Sequence, residues 1–381
     1  MAYFDHNATT QPMSDALEAI HLASKENWQN PSSPHRSGCR VRAGIEKARE
    51  EIAHSLEIEP QCLTFTSGAT ESNNAVLSTI SKRLGGTVNV ILISSVEHSS
   101  VLQPAKLYFP DSVYQISVDS DGVIQIGELE KLLEEYSPKL ISLIAAHNES
   151  GVLQPWREVA QICKARGIWF HCDATQWMGK LDPRGLNICS SFSFSAHKFG
   201  GPKGVGGLFS CEPISFIEGG GQEMETRGGT ENFPGIEGMR VAWMHHCNAG
   251  YSHTEAESWR DEFENRLSKS FFGLKIIGRE QSRLWNTSLL CLPKYENLRW
   301  VSKLDKLGFS VSTGSACSTT KEETSTLSGA IGLSDSGSRR LIRVSSYTGT
   351  TKEDWLGLAR AFENAFLELQ TEHQDTGVIS L

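Results

Sequence analysis

Four stretches of the chain carry residue types whose setting suits chemistry. In Ser67-Gly68-Ala69-Thr70-Glu71, small residues join an apolar run to a helical pattern. The first N–H groups of a helix have no partner inside it and carry partial positive charge, so such a turn suits a phosphate, with the Thr70 hydroxyl as a further donor. The same residues also suit a plain strand–helix turn with a hydroxyl cap. Asp173 ends the run Trp169-Phe170-His171-Cys172-Asp173. A carboxylate at the tip of a buried strand needs a partner, because an unpaired charge held away from water is costly. A helix N-cap is its other use.

Lys198 closes Ser193-Phe194-Ser195-Ala196-His197-Lys198. A lysine partly removed from water gives up its proton easily and can form a Schiff base. Lys203 competes for that role, and a solvated surface lysine is the ordinary alternative. Cys317 lies in Ser312-Thr313-Gly314-Ser315-Ala316-Cys317-Ser318-Thr319-Thr320, a small, polar stretch without period that reads as a mobile loop. The other eight cysteines fall in apolar or helical contexts. Buried thiols are inert, so a structural cysteine is the competing reading for Cys317. Phosphate turn, strand-end carboxylate and strand-end lysine together describe a pocket for pyridoxal phosphate. Its phosphate would sit at the helix start, Asp173 would keep the pyridine nitrogen protonated, and a lysine would link to the aldehyde.

These residues need a scaffold that aligns strand ends. Runs rich in Val, Ile, Leu and Phe at 62–66, 88–94, 113–118, 140–146, 168–173, 189–195 and 206–209 predict strands covered on both faces. Helical patterns at 40–56, 126–135 and 157–166 alternate with them. This rhythm predicts an α/β fold with a mostly parallel seven-stranded sheet, whose ligands bind beyond the carboxyl ends of the strands. A glycine-rich stretch at 219–229 precedes one long helix over 234–270, leading to a smaller α+β part with strand-like runs at 271–277, 285–291 and 343–346. The expected division is a large domain over 13–255 and a small one formed by 1–12 and 256–381, carrying Cys317.

Composition narrows the class of protein. With 36 Lys and Arg against 45 Asp and Glu, the 381 residues carry a formal charge of −9, which argues against a nucleic-acid partner. No apolar run is long enough to span a membrane, and the first residues lack a basic stretch followed by an apolar one. Nine cysteines without a CxxC pair fit a reducing compartment, where most would be buried as small hydrophobes. The expected location is cytoplasmic. His245, His246, Cys247 and His253 show no familiar ligand spacing, so no metal site is expected.

The chain resembles the cysteine desulfurases of the NifS/IscS family, which are fold-type I pyridoxal-phosphate enzymes. The resemblance runs over nearly its whole length. It rests on Asp5-His6-Asn7-Ala8-Thr9-Thr10, Asn30-Pro31-Ser32-Ser33-Pro34-His35, Phe65 to Asn74, Val96-Glu97-His98, Asn148-Glu149-Ser150-Gly151 and His171 to Gln176. It continues through Ser195-Ala196-His197-Lys198, Gly201 to Gly206, Gly220-Gly221-Gln222-Glu223, Arg227 to Asn232, Gly314-Ser315-Ala316-Cys317 and Ile342-Arg343-Val344-Ser345.

The resemblance implies that Lys198, rather than Lys203, holds the coenzyme. It also implies that Asp173 pairs with the pyridine nitrogen, Gln176 hydrogen-bonds the phenolic oxygen, and His98 stacks on the ring and assists proton transfer. Thr70, Ala69, Ser195 and His197 would bind the phosphate, joined by Thr230 from the other subunit of a homodimer. Arg343, with Asn148 and Asn7, would hold the substrate carboxylate. The implied reaction turns L-cysteine into L-alanine and leaves a persulfide on Cys317, for transfer to a scaffold or acceptor protein in iron–sulfur cluster or thiolation pathways. His6, His147, Trp177 and Tyr347-Thr348-Gly349 depart from the family pattern, which puts the acceptor and the substrate in question. A selenocysteine lyase or a cysteine or cystine β-lyase is the alternative. A thiol hydrolase using Cys317 and His98 would leave Lys198 and the phosphate turn without a role.

Overall fold

The computed structural model describes residues 1–85, 89–314 and 326–376. Cys317 lies outside the described residues. All seven apolar runs become strands of one sheet, in the spatial order Leu63–Thr66, Gly206–Ser210, Ser191–Ser195, Trp169–Asp173, Leu140–Ile144, Ile91–Ser94 and Val113–Ile116. Only Gly206–Ser210 runs against the rest, pairing antiparallel with both neighbours. The other pairs are parallel, as the alternating strands and helices predict. The central strands are buried along their whole length, which explains their near-continuous apolar composition.

The helices between strands cover the sheet with narrow apolar stripes. Helix Ile126–Tyr136 buries Leu129 and Leu133, one turn apart, and stops where Ser137 turns left-handed. Helix Trp156–Arg166 buries Trp156, Val159, Ala160 and Cys163, and ends at Gly167, whose φ of 66° is the usual helix stop. Helix Arg36–Ser55 starts with the His35 side chain accepting from the Gly38 N–H and buries Val41, Ile45, Ala48 and Ile52.

The expected long helix over 234–270 is two helices, Phe233–Ala249 and Thr254–Ser270, separated at Gly250 with φ of 77°. The two halves bury different faces in different places. Ile236, Met239, Ala242 and Trp243 join the core against the large sheet. Phe263 and Leu267 join a second core with Phe4, Trp300, Trp355 and Phe362. A straight helix could not present both stripes. That second core lies against a four-stranded antiparallel sheet in the order Ser312–Thr313, Leu341–Ser345, Thr287–Cys291 and Lys275–Ile276. The run at 271–277 contributes only its last part, since Gly273 takes a left-handed φ of 86° just before the strand.

The N-terminal segment ties the two sheets together. Strand Ala2–Tyr3 pairs with Phe309–Ser310, and Asp5 bridges to Ser345. Two residues later, Asn7 meets the carboxyl-end side of the large sheet. Of the eight described cysteines, Cys163, Cys172, Cys189 and Cys291 are buried and Cys211 is exposed, so burial is less general than composition alone suggests.

Candidate active site

Polar residues line one face at the carboxyl ends of two neighbouring parallel strands. His171 and Asp173 alternate along Trp169–Asp173, and Ser191, Ser193 and Ser195 alternate along Ser191–Ser195, so each set points one way. The register sets His171 beside Ser191 and Asp173 beside Ser193. Helix Ala69–Arg83 crosses above them and brings Asn73, which serves as their junction. The Asn73 amide donates to Asp173 Oδ2 at 3.0 Å and to Ser100 Oγ at 2.9 Å. Its oxygen accepts from His171 Nε2 at 2.9 Å and from Ser193 Oγ at 2.6 Å. Burial holds the His171 ring down to about 4, so it is neutral at physiological pH and, donating through Nε2, accepts at Nδ1 from Ser191 Oγ at 2.9 Å.

Asp173 is buried and also accepts from the Thr175 N–H at 3.0 Å through Oδ1. Close by, Glu97 is buried, and among the described residues neither carboxylate oxygen has a hydrogen bond of ordinary geometry. Burial, then the charge of Asp173, raise it well above the ordinary carboxyl range. His98 caps helix Ser99–Tyr108, with Nδ1 accepting from the Ser100 N–H at 3.1 Å. Burial lowers its basicity; Asp173 opposes and Lys198 reinforces that shift, which puts both charges within electrostatic reach of the ring.

Lys198 follows Ser191–Ser195 at the end of the short turn Ala196–Lys198. Its Nζ donates to the carbonyls of Asn7 at 2.7 Å and Ala8 at 3.0 Å. Gln176 Nε2 donates to the same Asn7 carbonyl at 2.9 Å. Asn7 is buried and also donates through Nδ2 to the Asn148 carbonyl at 3.2 Å and to Thr287 Oγ1 at 2.9 Å. Arg343, on Leu341–Ser345, is anchored through Nη2 to Asp5 Oδ1 at 2.6 Å and through Nη1 to the Asn148 carbonyl at 3.2 Å. Asn148 thus meets Arg343 through its backbone. His147 is buried, with Nδ1 accepting from the Glu149 and Ser150 N–H groups at 3.2 Å. Burial, and next the Arg343 charge, bring it down to about 3.

Ser67 and Gly68 join strand Leu63–Thr66 directly to helix Ala69–Arg83. Gly68 is the N-cap, with a φ of 146°, and as a glycine offers no side chain of its own to the first-turn N–H groups. The Ala69 N–H donates to Ser195 Oγ at 2.8 Å, which joins the turn to the strand that leads to Lys198. A Cβ on Gly68 would stand 3.1 Å from that oxygen. His197 Nδ1 lies 3.1 Å from Thr9 Oγ1; burial, then Lys198, hold it down to about 4. Thr70 is exposed at the helix start. Thr230 is exposed too, in a cavity of about 140 Å³ with Ser67, Gly204 and Arg227, and shares no described contact with Lys198 or Asp173. Lys203 is exposed and lines a separate cavity of about 840 Å³ with His6 and Tyr347. Of the histidines outside the site, His246 is buried and pairs through Nε2 with Tyr347 Oη at 2.6 Å.

Sequence reasoning gave no role to Asn73, His171, Glu97, Asp5 or Lys180. His171 was within reach, since a polar residue at every second position of a buried strand marks a face that something polar must cover.

The chain belongs to the class-V aminotransferase family, whose profile matches residues 2–356, and enzymes of this family use pyridoxal phosphate. Within the family its relatives are cysteine desulfurases. The cysteine desulfurase IscS of Dictyoglomus turgidum is 35% identical over 366 residues, covering 92% of this chain and 91% of that protein. The IscS of Clostridium botulinum strain Hall is 30% identical over 362 residues, with coverage of 92% and 91%. A solved NifS-like protein superimposes with a TM-score of 0.88 at 32% identity, spanning 96% of this chain and 99% of its own. The structure of SspA in complex with cysteine gives a TM-score of 0.80 at 28% identity, over 91% and 98% of the two chains. The residues present fit the coenzyme. The glycine N-cap Gly68 places no side chain of its own over the helix start, Asp173 is a fixed buried acceptor, and the Lys198 amine is oriented by two backbone carbonyls.

Proposed function

We propose that the chain, as a homodimer, moves the sulfur of L-cysteine onto Cys317 and then to an acceptor protein. The observation that carries this reading is the convergence of Lys198, Gln176 and Arg343 on Asn7 and its neighbours, next to the fixed carboxylate of Asp173. Pyridoxal phosphate, when bound, supplies an electron sink for the bonds at the substrate's Cα. Lys198 would hold it, Asp173 would face its ring nitrogen and Gln176 its phenolic oxygen, with His98 over the ring. Ala69, Thr70, Ser195 and His197 would meet its phosphate, and Thr230 would do so from the partner subunit.

Arg343, fixed by Asp5 and by the Asn148 carbonyl, receives the substrate carboxylate, with Asn7 beside it. The Lys198 amine, unprotonated, takes the proton from Cα. Cys317, as thiolate, attacks the substrate Sγ; an S–S bond forms as the Cβ–Sγ bond breaks. The electron pair left on carbon is protonated, and L-alanine leaves. The persulfide on Cys317 then passes to a scaffold or carrier protein of iron–sulfur cluster or thiolation chemistry in the cytoplasm.

The test is spectroscopic and chemical. The purified protein should show the visible absorption of a lysine-bound coenzyme, lost in Lys198→Ala, and should release L-alanine from L-cysteine. Cys317→Ala should abolish the persulfide. Undiminished sulfur release from that variant, with pyruvate as product, would overturn the reading in favour of a β-lyase.

A further inference from the structure

Lys180 has no exposed surface and lies in the wall of the site, one turn beyond Gln176. Its Nζ donates to Gln176 Oε1 and, at 3.1 Å, to Asn7 Oδ1. No carboxylate lies among its described contacts, and both acceptors are neutral amides. Burial, then the charges of Lys198 and Arg343, lower its basicity well below the ordinary lysine range. Burying an amine among like charges is costly, so its retention needs a local use.

The hydrogen bonds identify that use. An amide side chain can be turned over, exchanging its oxygen and nitrogen, unless its neighbours discriminate between them. Around Gln176 they do so at both ends. Lys180 directs its N–H groups at Gln176 Oε1 and Asn7 Oδ1, and the Asn7 carbonyl only accepts. A turned-over Gln176 would set its oxygen against that carbonyl and its NH₂ against the Lys180 amine. The observed orientation points the NH₂ toward the Asn7 carbonyl that also receives Lys198. One hydrogen goes to Asn7, and the second is left on the side where the lysine-bound coenzyme would lie.

We infer that Lys180 is a positioning residue that locks the Gln176 amide so that its nitrogen, not its oxygen, faces the phenolic oxygen of the coenzyme. Without Lys180, only the Asn7 carbonyl opposes the turned-over form, and a share of the amide can present a lone pair to an oxygen that itself carries negative charge. The inference rests on the proposed role of Gln176.

The experiment is a pH titration of the visible coenzyme band in the holoenzyme, read without substrate. In Lys180→Met the midpoint should move upward by roughly one pH unit, the equivalent of one hydrogen bond, because a phenolic oxygen without its donor holds the proton it shares with the lysine nitrogen more tightly. Gln176→Ala should shift it by a similar amount, and the double variant no further than Gln176→Ala alone. A parental midpoint in Lys180→Met, or shifts that add in the double variant, would overturn the inference. Should Lys180→Met give no soluble holoenzyme, Lys180→Leu is titrated and read in the same way. Absence of a coenzyme band in the parent enzyme would refute the functional reading itself, so the two failures are distinct.

Discussion

The glycine-rich stretch leading to Thr230 is held down by one buried ion pair, and breaking it has a calculable cost. Glu223 accepts from Arg49 Nη1 at 2.8 Å and Nη2 at 3.0 Å, and from the Phe65 N–H at 2.7 Å. The two side chains are 3% and 2% exposed. Glu223, Met224 and Glu225 all have left-handed φ, at 48°, 57° and 64°. Such a conformation costs a non-glycine residue roughly 1–2 kcal/mol, so the pair holds a strained segment in place. Replacing Glu223 with Gln removes the buried counter-charge, leaving Arg49 with Glu46 as its ion-pair partner among the described residues, beside neutral acceptors such as the Leu63 carbonyl. Removing one partner of a buried pair typically costs about 3–5 kcal/mol. Release of part of the left-handed strain returns about 1 kcal/mol, leaving a net loss of about 2–4 kcal/mol. At about 2 °C per kcal/mol, thermal unfolding of Glu223→Gln should occur about 4–8 °C lower. Adding Arg49→Met removes the stranded charge and should restore at least about 1.5 kcal/mol. A single variant that loses less than about 1 kcal/mol, or a double variant whose loss is the sum of the two singles, would refute this account of the segment.

Other outcomes follow from the same structure. Because Glu97 holds its proton in the fold but releases it near pH 4.5 when unfolded, its contribution to stability is complete below that value and declines as pH rises toward its raised folded value. Urea denaturation should therefore show Glu97→Gln gaining on the parent above about pH 5, by at most about 1.4 kcal/mol per pH unit, and a pH-independent difference would contradict this. Gly179 has a φ of 74°, and a Cβ there would stand 2.2 Å from that of Phe199, next to Lys198. Gly179→Ala should lose roughly 2–4 kcal/mol of stability in the same assay, together with bound coenzyme measured by absorption. Arg343→Lys keeps the charge but not the two-pronged donor, so steady-state kinetics should show KM for L-cysteine rising on the order of tenfold.

The large sheet was legible because strands such as Ile91–Ser94 and Leu140–Ile144 are made almost wholly of Ile and Leu, a composition that few other settings permit. Their ends were less so. Apolar residues such as Val118, Ala145 and Ala146 continue past the hydrogen-bonded ladder, because the core extends beyond the strands. The break at Gly250 escaped notice because both flanking helices keep helical composition; only the change of buried face reveals it. Asp173 and Lys198 could be found as single polar residues at strand ends. Asn73 and Lys180 could not, since their partners lie across the fold at Asp173, Ser193 and Asn7. Cys317, the residue with the plainest sequence signal, lies outside the described part of the chain.

The segment from Asp5 to Ala8 does two jobs with a few consecutive peptide units. Its first carboxylate fixes a guanidinium on one sheet, and its last two carbonyls fix an amine on the other. The separation between the group that grips a substrate's acid end and the group that handles its α-hydrogen is therefore gauged by backbone of nearly constant length. Amino acids longer or shorter at the side chain still meet the same anchor-to-base distance, so selectivity among them has to be exercised elsewhere, at the reach of the sulfur.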